Sequence, residues 1–188
     1  MAKIKVLVPL AEGFEEIEAV SIIDVLRRAE IEVITASLDE EQLVRGAHGI
    51  SVATDMIIHD VPVDDLSMII LPGGWGGTKL LADDPNVQII LKEMDAKGKH
   101  IGAICAAPFA LNKAGVLKHA YTCYPSVEEQ IRLDGYEGDK KMVVEDKNVI
   151  TSRGPATAIC FALEIVKKLQ TQKRYETLKA ALLATNCL

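Results

Sequence analysis

The first 37 residues confine the fold more tightly than any other stretch. Ile4 to Leu10 is aliphatic at nearly every position, the pattern of a central strand covered on both faces. Ala11-Glu12-Gly13-Phe14 turns the chain, and Glu15 to Ala29 then reads as a helix. Its apolar residues are Ile17, Val20 and Ile23 and, on an adjoining stripe, Ile22, Val25 and Leu26. Glu15, Glu16 and Glu18 in its first turn and Arg27 and Arg28 in its last complement the helix dipole at both ends. Ile31 to Ser37 supplies the next strand. Strand, helix and strand in this order make a βαβ unit, whose strands lie parallel in one sheet, so the predicted class is α/β.

The remaining segments extend this plan. Leu38 to Gly49 is polar and reads as a surface excursion, a hairpin with Ile50 to Ala53 as its return. Met68 to Leu71 is a short apolar strand that runs into Pro72-Gly73-Gly74-Trp75-Gly76-Gly77. Helices follow, broken at Asp83-Asp84-Pro85, where proline suits a first turn, and ending at Gly98. A strand leads to Cys105. Ala120 to Tyr124 is predicted as a short strand, Ser126 to Leu133 as helical, and Met142 to Glu145 with Asn148 to Ser152 as two strands. Pro155 to about Leu169 and Tyr175 to Ala184 are predicted helices. With no repeat and no low-complexity linker, the 188 residues read as a single domain, 1–188.

Several function classes drop out. A formal net charge of −6 gives no sign of a nucleic-acid-binding patch. No apolar run approaches a membrane span, and that of the first ten residues is too short for a signal peptide. Cys105, Cys123, Cys160 and Cys187 form no C-x-x-C pair and have no histidine at ligand spacing, so neither a metal site nor a disulfide framework is expected. The expectation is a soluble protein of a reducing cytoplasm, where unpaired thiols persist. Gly77 is followed by Thr78-Lys79, the reverse of the order a phosphate-binding P-loop needs, and the first turn lacks G-x-G-x-x-G. No cofactor is expected. Glycines at 73 to 77 instead let backbone approach a substrate or sulfur closely and aim N–H groups at developing negative charge, although a tight turn without a ligand fits Gly76 and Gly77 equally.

Chemistry is predicted at Cys105. The run from Lys99 reads as a buried strand up to this cysteine and as a helix after it, with small residues, Ala103 and Ala107, two positions to either side. That is the logic of a nucleophile elbow with Cys in place of Ser, and N–H groups at such a turn stabilise a thiolate. The same residues also fit a plain core cysteine. Glu18 lies one turn into the first helix with Ile22 and Val25 on its face, so its carboxyl should keep its proton near neutrality and donate to a thiolate, the pair then carrying one negative charge. Glu15 and Glu16 read as solvated first-turn acids. None of the four histidines follows a strand end as a partner of Cys105 should, and His48, in a glycine-flanked loop, reads as a surface residue. No histidine follows His119, which removes support for a glutamine amidotransferase.

Four motifs in order, Ala11-Glu12-Gly13-Phe14-Glu15-Glu16-Ile17-Glu18, Leu71-Pro72-Gly73-Gly74, Ala103-Ile104-Cys105-Ala106-Ala107-Pro108 and Thr151-Ser152-Arg153-Gly154-Pro155, closely resemble the ThiJ/PfpI superfamily. Within it they resemble the branch of the human Parkinson-disease-associated protein deglycase. The resemblance spans nearly the whole chain. It implies a flavodoxin-like three-layer α/β/α sandwich with a mostly parallel sheet and a homodimer. Its nucleophile would be Cys105, its carboxyl partner Glu18 and its oxyanion donors the N–H groups of Gly74 and Ala106, with Gly73, Tyr124 and Arg153 at the periphery. It implies hydrolysis of small dicarbonyls such as methylglyoxal and glyoxal, or of their early adducts, without a cofactor. The alternatives are an oxidative-stress sensor or stress-protective chaperone built on the same cysteine and, with less support, an intracellular peptidase. Two positions depart from the branch: Tyr124 stands where its best-known member has a histidine, and Ala156 where the family has glycine. A phenol is a poor general base at neutral pH, so Tyr124 is expected to position substrate at most.

Overall fold

The computed structural model describes residues 3–187. Its elements run β1 (Lys5–Leu10), α1 (Glu16–Arg28), β2 (Glu32–Ser37), β3 (Leu43–Arg45), β4 (Ser51–Ala53), β5 (Met56–Ile57), β6 (Met68–Leu71), α2 (Trp75–Asp83), α3 (Pro85–Ala96), β7 (His100–Ile104), α4 (Pro108–Ala114), β8 (Val143–Asp146), β9 (Val149–Ser152), α5 (Ala158–Leu169) and α6 (Gln172–Ala181). Seven strands form one sheet in the order β5-β2-β1-β6-β7-β9-β8, parallel except where β8 meets β9, while β3 and β4 make the separate hairpin expected of residues 38–53. Within β1, Val6, Val8 and Leu10 pack with the side chains of α1 and α5, while Leu7 packs with those of α2, α3 and α4. Alternate residues of a strand face opposite sides, and both sides are covered here, which is why β1 shows no polar alternation. The result is the flavodoxin-like three-layer sandwich.

α1 shows how sequence sets an element and where periodicity misleads. Glu15 caps it, accepting the N–H of Glu18 at 2.8 Å, and the chain leaves through Glu30 in the left-handed region (φ 63°). Ile22, Val25 and Leu26 are buried against the sheet. Truncation of Leu26 to Ala would cost about 2–5 kcal/mol. Of the other stripe only Ile23 is buried; Ile17 and Val20 are 58% and 47% exposed, so that apolar row faces out rather than into the core.

Three expectations are corrected. Residues 120–124 form no strand of the sheet, only a single bridge between Tyr121 and Tyr136. Their backbone donors are used elsewhere: the N–H of Thr122 goes to Thr151 Oγ1 and that of Tyr124 to the carbonyl of Cys105, while β8 already occupies the edge beside β9. Residues 126–133 hold one 3-10 turn, Val127–Gln130, entered through Ser126 at φ 79°. Finally, Cys160 and Cys187 are joined in a disulfide, their Cα atoms 5.1 Å apart. No local motif announces this bond. The fold makes it by packing α6 on α5 and returning the tail. Among the described residues no helix is long and apolar enough to cross a membrane.

Candidate active site

Taken in chain order, the five central strands β2-β1-β6-β7-β9 read 2-1-3-4-5, so the connections diverge between β1 and β6. Ligands of such sheets bind beyond the carboxyl ends of the strands at this switch point. The turns after β1, β6 and β7 bring Glu15, Gly74 and Cys105 to one cavity of about 400 Å³, walled also by His48, Trp75, Ala106, Tyr124, Ser126, Val127, Gln130 and Pro155.

Cys105 is the elbow. Its φ of 62° places a non-glycine residue in the left-handed region, a strain of about 1–3 kcal/mol. Two long-range hydrogen bonds hold it: its N–H donates to the Ser152 carbonyl at 3.0 Å, and its carbonyl accepts the N–H of Tyr124 at 2.9 Å. Ala103 and Ala107 are fully buried on either side, where larger side chains would separate β7 from the following helix. The backbone N–H groups of Gly74 and Ala106 lie close enough to the sulfur to favour its charged form. Gly74 achieves this at φ 87°, and a Cβ on it would lie 2.4 Å from the Gly13 carbonyl oxygen.

Glu18 is wholly buried, and its Oε2 accepts the N–H of Gly73 at 2.8 Å while Oε1 has no hydrogen-bond partner among the described residues. Gly73 sets the spacing of the pair: a Cβ built on it would lie 2.5 Å from both Cys105 Cβ and Glu18 Oε2. Burial pushes the Glu18 carboxyl up to about 7, against the opposing pull of the Cys105 thiol and the Gly73 N–H. The Cys105 thiol is pushed up as well, first by burial and then by the charge of Glu18, while the N–H groups of Gly74 and Ala106 pull it down. The elbow alone therefore does not make a thiolate. Each ionised partner opposes ionisation of the other, so the first proton lost belongs to the pair, and negative charge rests on sulfur only while Glu18 keeps the proton.

Glu15 and Glu16 are not solvated acids but buried ones, 8% and 5% exposed. Glu16 reaches across to the loop between β3 and β4. Its Oε1 accepts the N–H of His48 at 2.6 Å and of Ile50 at 3.4 Å, and its Oε2 lies 2.8 Å from His48 Nδ1. Gly46 makes room, since a Cβ there would sit 2.4 Å from Glu16 Cδ. Burial pushes the Glu16 carboxyl up, but these bonds and its own backbone N–H outweigh it and hold the group down to about 2. Glu15, Glu16 and His48 offer three possible metal-ligand atoms within 4.8 Å, yet these oxygens are taken by N–H groups. His48 itself belongs to the cavity wall rather than to a featureless surface. Of the peripheral residues, Tyr124 lines the cavity at 51% exposure, whereas Arg153 lies beside Tyr136 and Cys123, outside the lining. Trp75, edge-on to Phe109 at 5.4 Å, is a wall residue that carried no sequence signal beyond its place in the glycine run.

Comparison with known proteins gives the chain its relatives. Protein dj-1beta of Drosophila melanogaster is 40% identical over 182 residues, which cover 96% of this chain and 97% of that protein. Glutathione-independent glyoxalase DJR-1.2 of Caenorhabditis elegans is 38% identical over 168 residues, 89% of each. The solved structure of oxidized Toxoplasma gondii DJ-1 superposes with a TM-score of 0.91 at 38% identity, covering 96% of this chain and 98% of that one. The model of the DJ-1/PfpI family matches residues 4–168, from the first strand through the last elbow contact and into α5. A chain with this sheet order, this strained cysteine and these relatives belongs to the DJ-1/PfpI family.

Proposed function

We propose that the protein is a glyoxalase III or deglycase-type hydrolase that converts small dicarbonyls, such as methylglyoxal and glyoxal, or their early adducts, to hydroxy acids without a cofactor. The observation that carries this reading is the pair of Cys105 and wholly buried Glu18 held together across Gly73 at the cavity. That the related Caenorhabditis elegans protein is named a glutathione-independent glyoxalase adds to it. The thiolate attacks the aldehyde carbon of methylglyoxal. A C–S bond forms, the carbonyl pair moves to oxygen beside the N–H groups of Gly74 and Ala106, and Glu18 gives that oxygen its proton. Glu18, now a carboxylate, takes the hydrogen of the same carbon as a proton, and the second carbonyl oxygen receives the displaced electron pair. Returning the proton to the second carbon, with the hydroxyl proton of the first carbon lost and one gained by the second oxygen, yields a lactoyl thioester. Glu18 then draws a proton from water, the hydroxide attacks the thioester, and lactate leaves as the C–S bond breaks and the thiolate is restored.

Lactate formation from methylglyoxal by the purified protein, against Cys105→Ala, tests the reading. It is abandoned if the wild type is no faster than the variant. A second reading, a cysteine-based oxidation sensor or stress-protective chaperone, draws support from the solved structure of the Toxoplasma gondii relative, which is described as oxidized. A homodimer is supported by the exposed row of Ile17 and Val20 on α1, apolar surface that a second copy would cover. The Cys160–Cys187 disulfide removes the cysteine argument for a reducing cytoplasm. What supports such a location is the requirement that Cys105 remain a thiol for turnover.

A further inference from the structure

The reaction proposed above leaves one proton without a donor. When the hydrogen of the first carbon is removed, negative charge appears on the oxygen of the second carbon, and Glu18 is already occupied with the carbon-bound proton. Tyr124 stands where the branch's best-known member has a histidine, and among the described residues the cavity wall holds one imidazole, that of His48. We infer that His48, oriented by Glu16, is the catalytic acid that protonates this second oxygen. The inference rests on the dicarbonyl reading of the site.

The geometry has the parts such an acid needs. Glu16 holds the His48 backbone N–H at 2.6 Å and Nδ1 at 2.8 Å, so the hydrogen bond assigns Nδ1 a proton and leaves Nε2 as the nitrogen that Glu16 does not engage, on a residue of the cavity wall. Two backbone bonds, Gly13 N–H to the Arg45 carbonyl and Ala47 N–H to the Phe14 carbonyl, both 2.8 Å, pin the loop to the turn that carries Glu15. The charged groups at the ring are Glu16 and Glu15, the latter 4.0 Å from Nδ1; Arg45, at the end of β3, lies near Gly49 of the same loop, and Cys105 shares the cavity wall. The rest of the wall is Trp75, Tyr124 and uncharged side chains. The hydrogen bond from Glu16 and its charge hold the imidazole proton above its ordinary range. In the reaction the imidazolium gives the Nε2 proton to the second oxygen as the enediol forms. It recovers a proton from the hydroxyl of the first carbon as the thioester carbonyl forms, so His48 ends each cycle as it began.

Because the acid is the imidazolium, kcat should fall as pH rises through the His48 titration. His48→Gln is the test, since the ring is at the surface and its loss does not threaten folding. Relative to wild type, kcat for methylglyoxal should drop by about 10²-fold, the ordinary contribution of a positioned acid, with KM changed by no more than about threefold and the alkaline limb altered to that of the Cys105–Glu18 pair alone. In Glu16→Gln the limb should move to lower pH. A His48→Gln kcat within about twofold of wild type, an alkaline limb in that variant at the same pH as in wild type, or a limb unmoved in Glu16→Gln overturns the assignment. If Cys105→Ala still forms lactate at the wild-type rate, the dicarbonyl reading itself falls. If Cys105→Ala is dead while His48→Gln behaves as wild type, only the role of His48 falls.

Discussion

Glu18→Gln is expected to stabilise the protein while abolishing its turnover, and the size of the effect follows from the site. The Glu18 carboxyl titrates at about 7 in the folded protein against an ordinary value of 4.5, burial being the main cause. Between those limits the folded state holds a proton that the unfolded chain has released. Stability is therefore full below the unfolded value and is lost as pH rises through the folded one, by up to about 1.4 kcal/mol per pH unit and about 3 kcal/mol in all. Glutamine has nearly the same shape: its carbonyl can take the Gly73 N–H as Oε2 does, and its amide can face the sulfur. It has no proton to lose, so the slope disappears. Urea unfolding of both proteins at pH 4.5, 6, 7 and 8 would show the variant gaining on the wild type from pH 4.5 to 8 by about 3 kcal/mol, other titrating groups cancelling in the difference. Stability differences that stay parallel across this window would refute the burial argument for Glu18. The accompanying loss of activity would mark the buried acid as a cost in stability kept for function.

Tyr124→Phe should change methylglyoxal turnover by less than about tenfold, because the phenol is half exposed and its backbone N–H, not its ring, holds Cys105; a loss as deep as that of Cys105→Ala would show the phenol in the chemistry. Graded peroxide followed by peptide mass spectrometry should find Cys105 oxidised before Cys123, because Cys105 lines the cavity whereas Cys123 is wholly buried away from it. Prior oxidation of Cys123 would sink the idea that the cavity and its N–H donors select the sulfur. Cys187→Ser opens a loop spanning 27 positions, for which chain entropy suggests a loss of about 3–4 kcal/mol, while turnover should persist because the disulfide lines a different cavity. A urea midpoint indifferent to this substitution would contradict that figure.

The fold was legible where local pattern and tertiary demand agree. The apolar run Ile4 to Leu10, the capped helix after it and the break at Asp83-Asp84-Pro85 each announce themselves, and the elbow shows in the change of period at Cys105 with alanines on both sides. Glu18 was readable because its helical neighbours Ile22 and Val25 are apolar. What escaped depends on partners distant in sequence. Glu16 looks like any first-turn acid until Gly46 admits its carboxyl to the loop, and His48 gains its place in the cavity through that bond and the backbone bonds that pin its loop. Thr122 and Tyr124 carry strand-like sequence, but their donors are claimed by Thr151 and Cys105. Cys160 and Cys187 meet only because α6 folds back on α5. The outward face of Ile17 and Val20 has the same period as the inward one, so helical periodicity could not separate the two.

The two locks on the elbow also set when the sulfur comes alive during synthesis. Cys105 is held by Ser152 and Tyr124, both made after it, and β7 lacks its neighbour β9 until residue 152 has been added. Glu18, made long before, has no strained sulfur to share its proton with until then. A nascent or prematurely ended chain thus lacks both locks on this cysteine, and the elbow is complete only with the closing of the sheet.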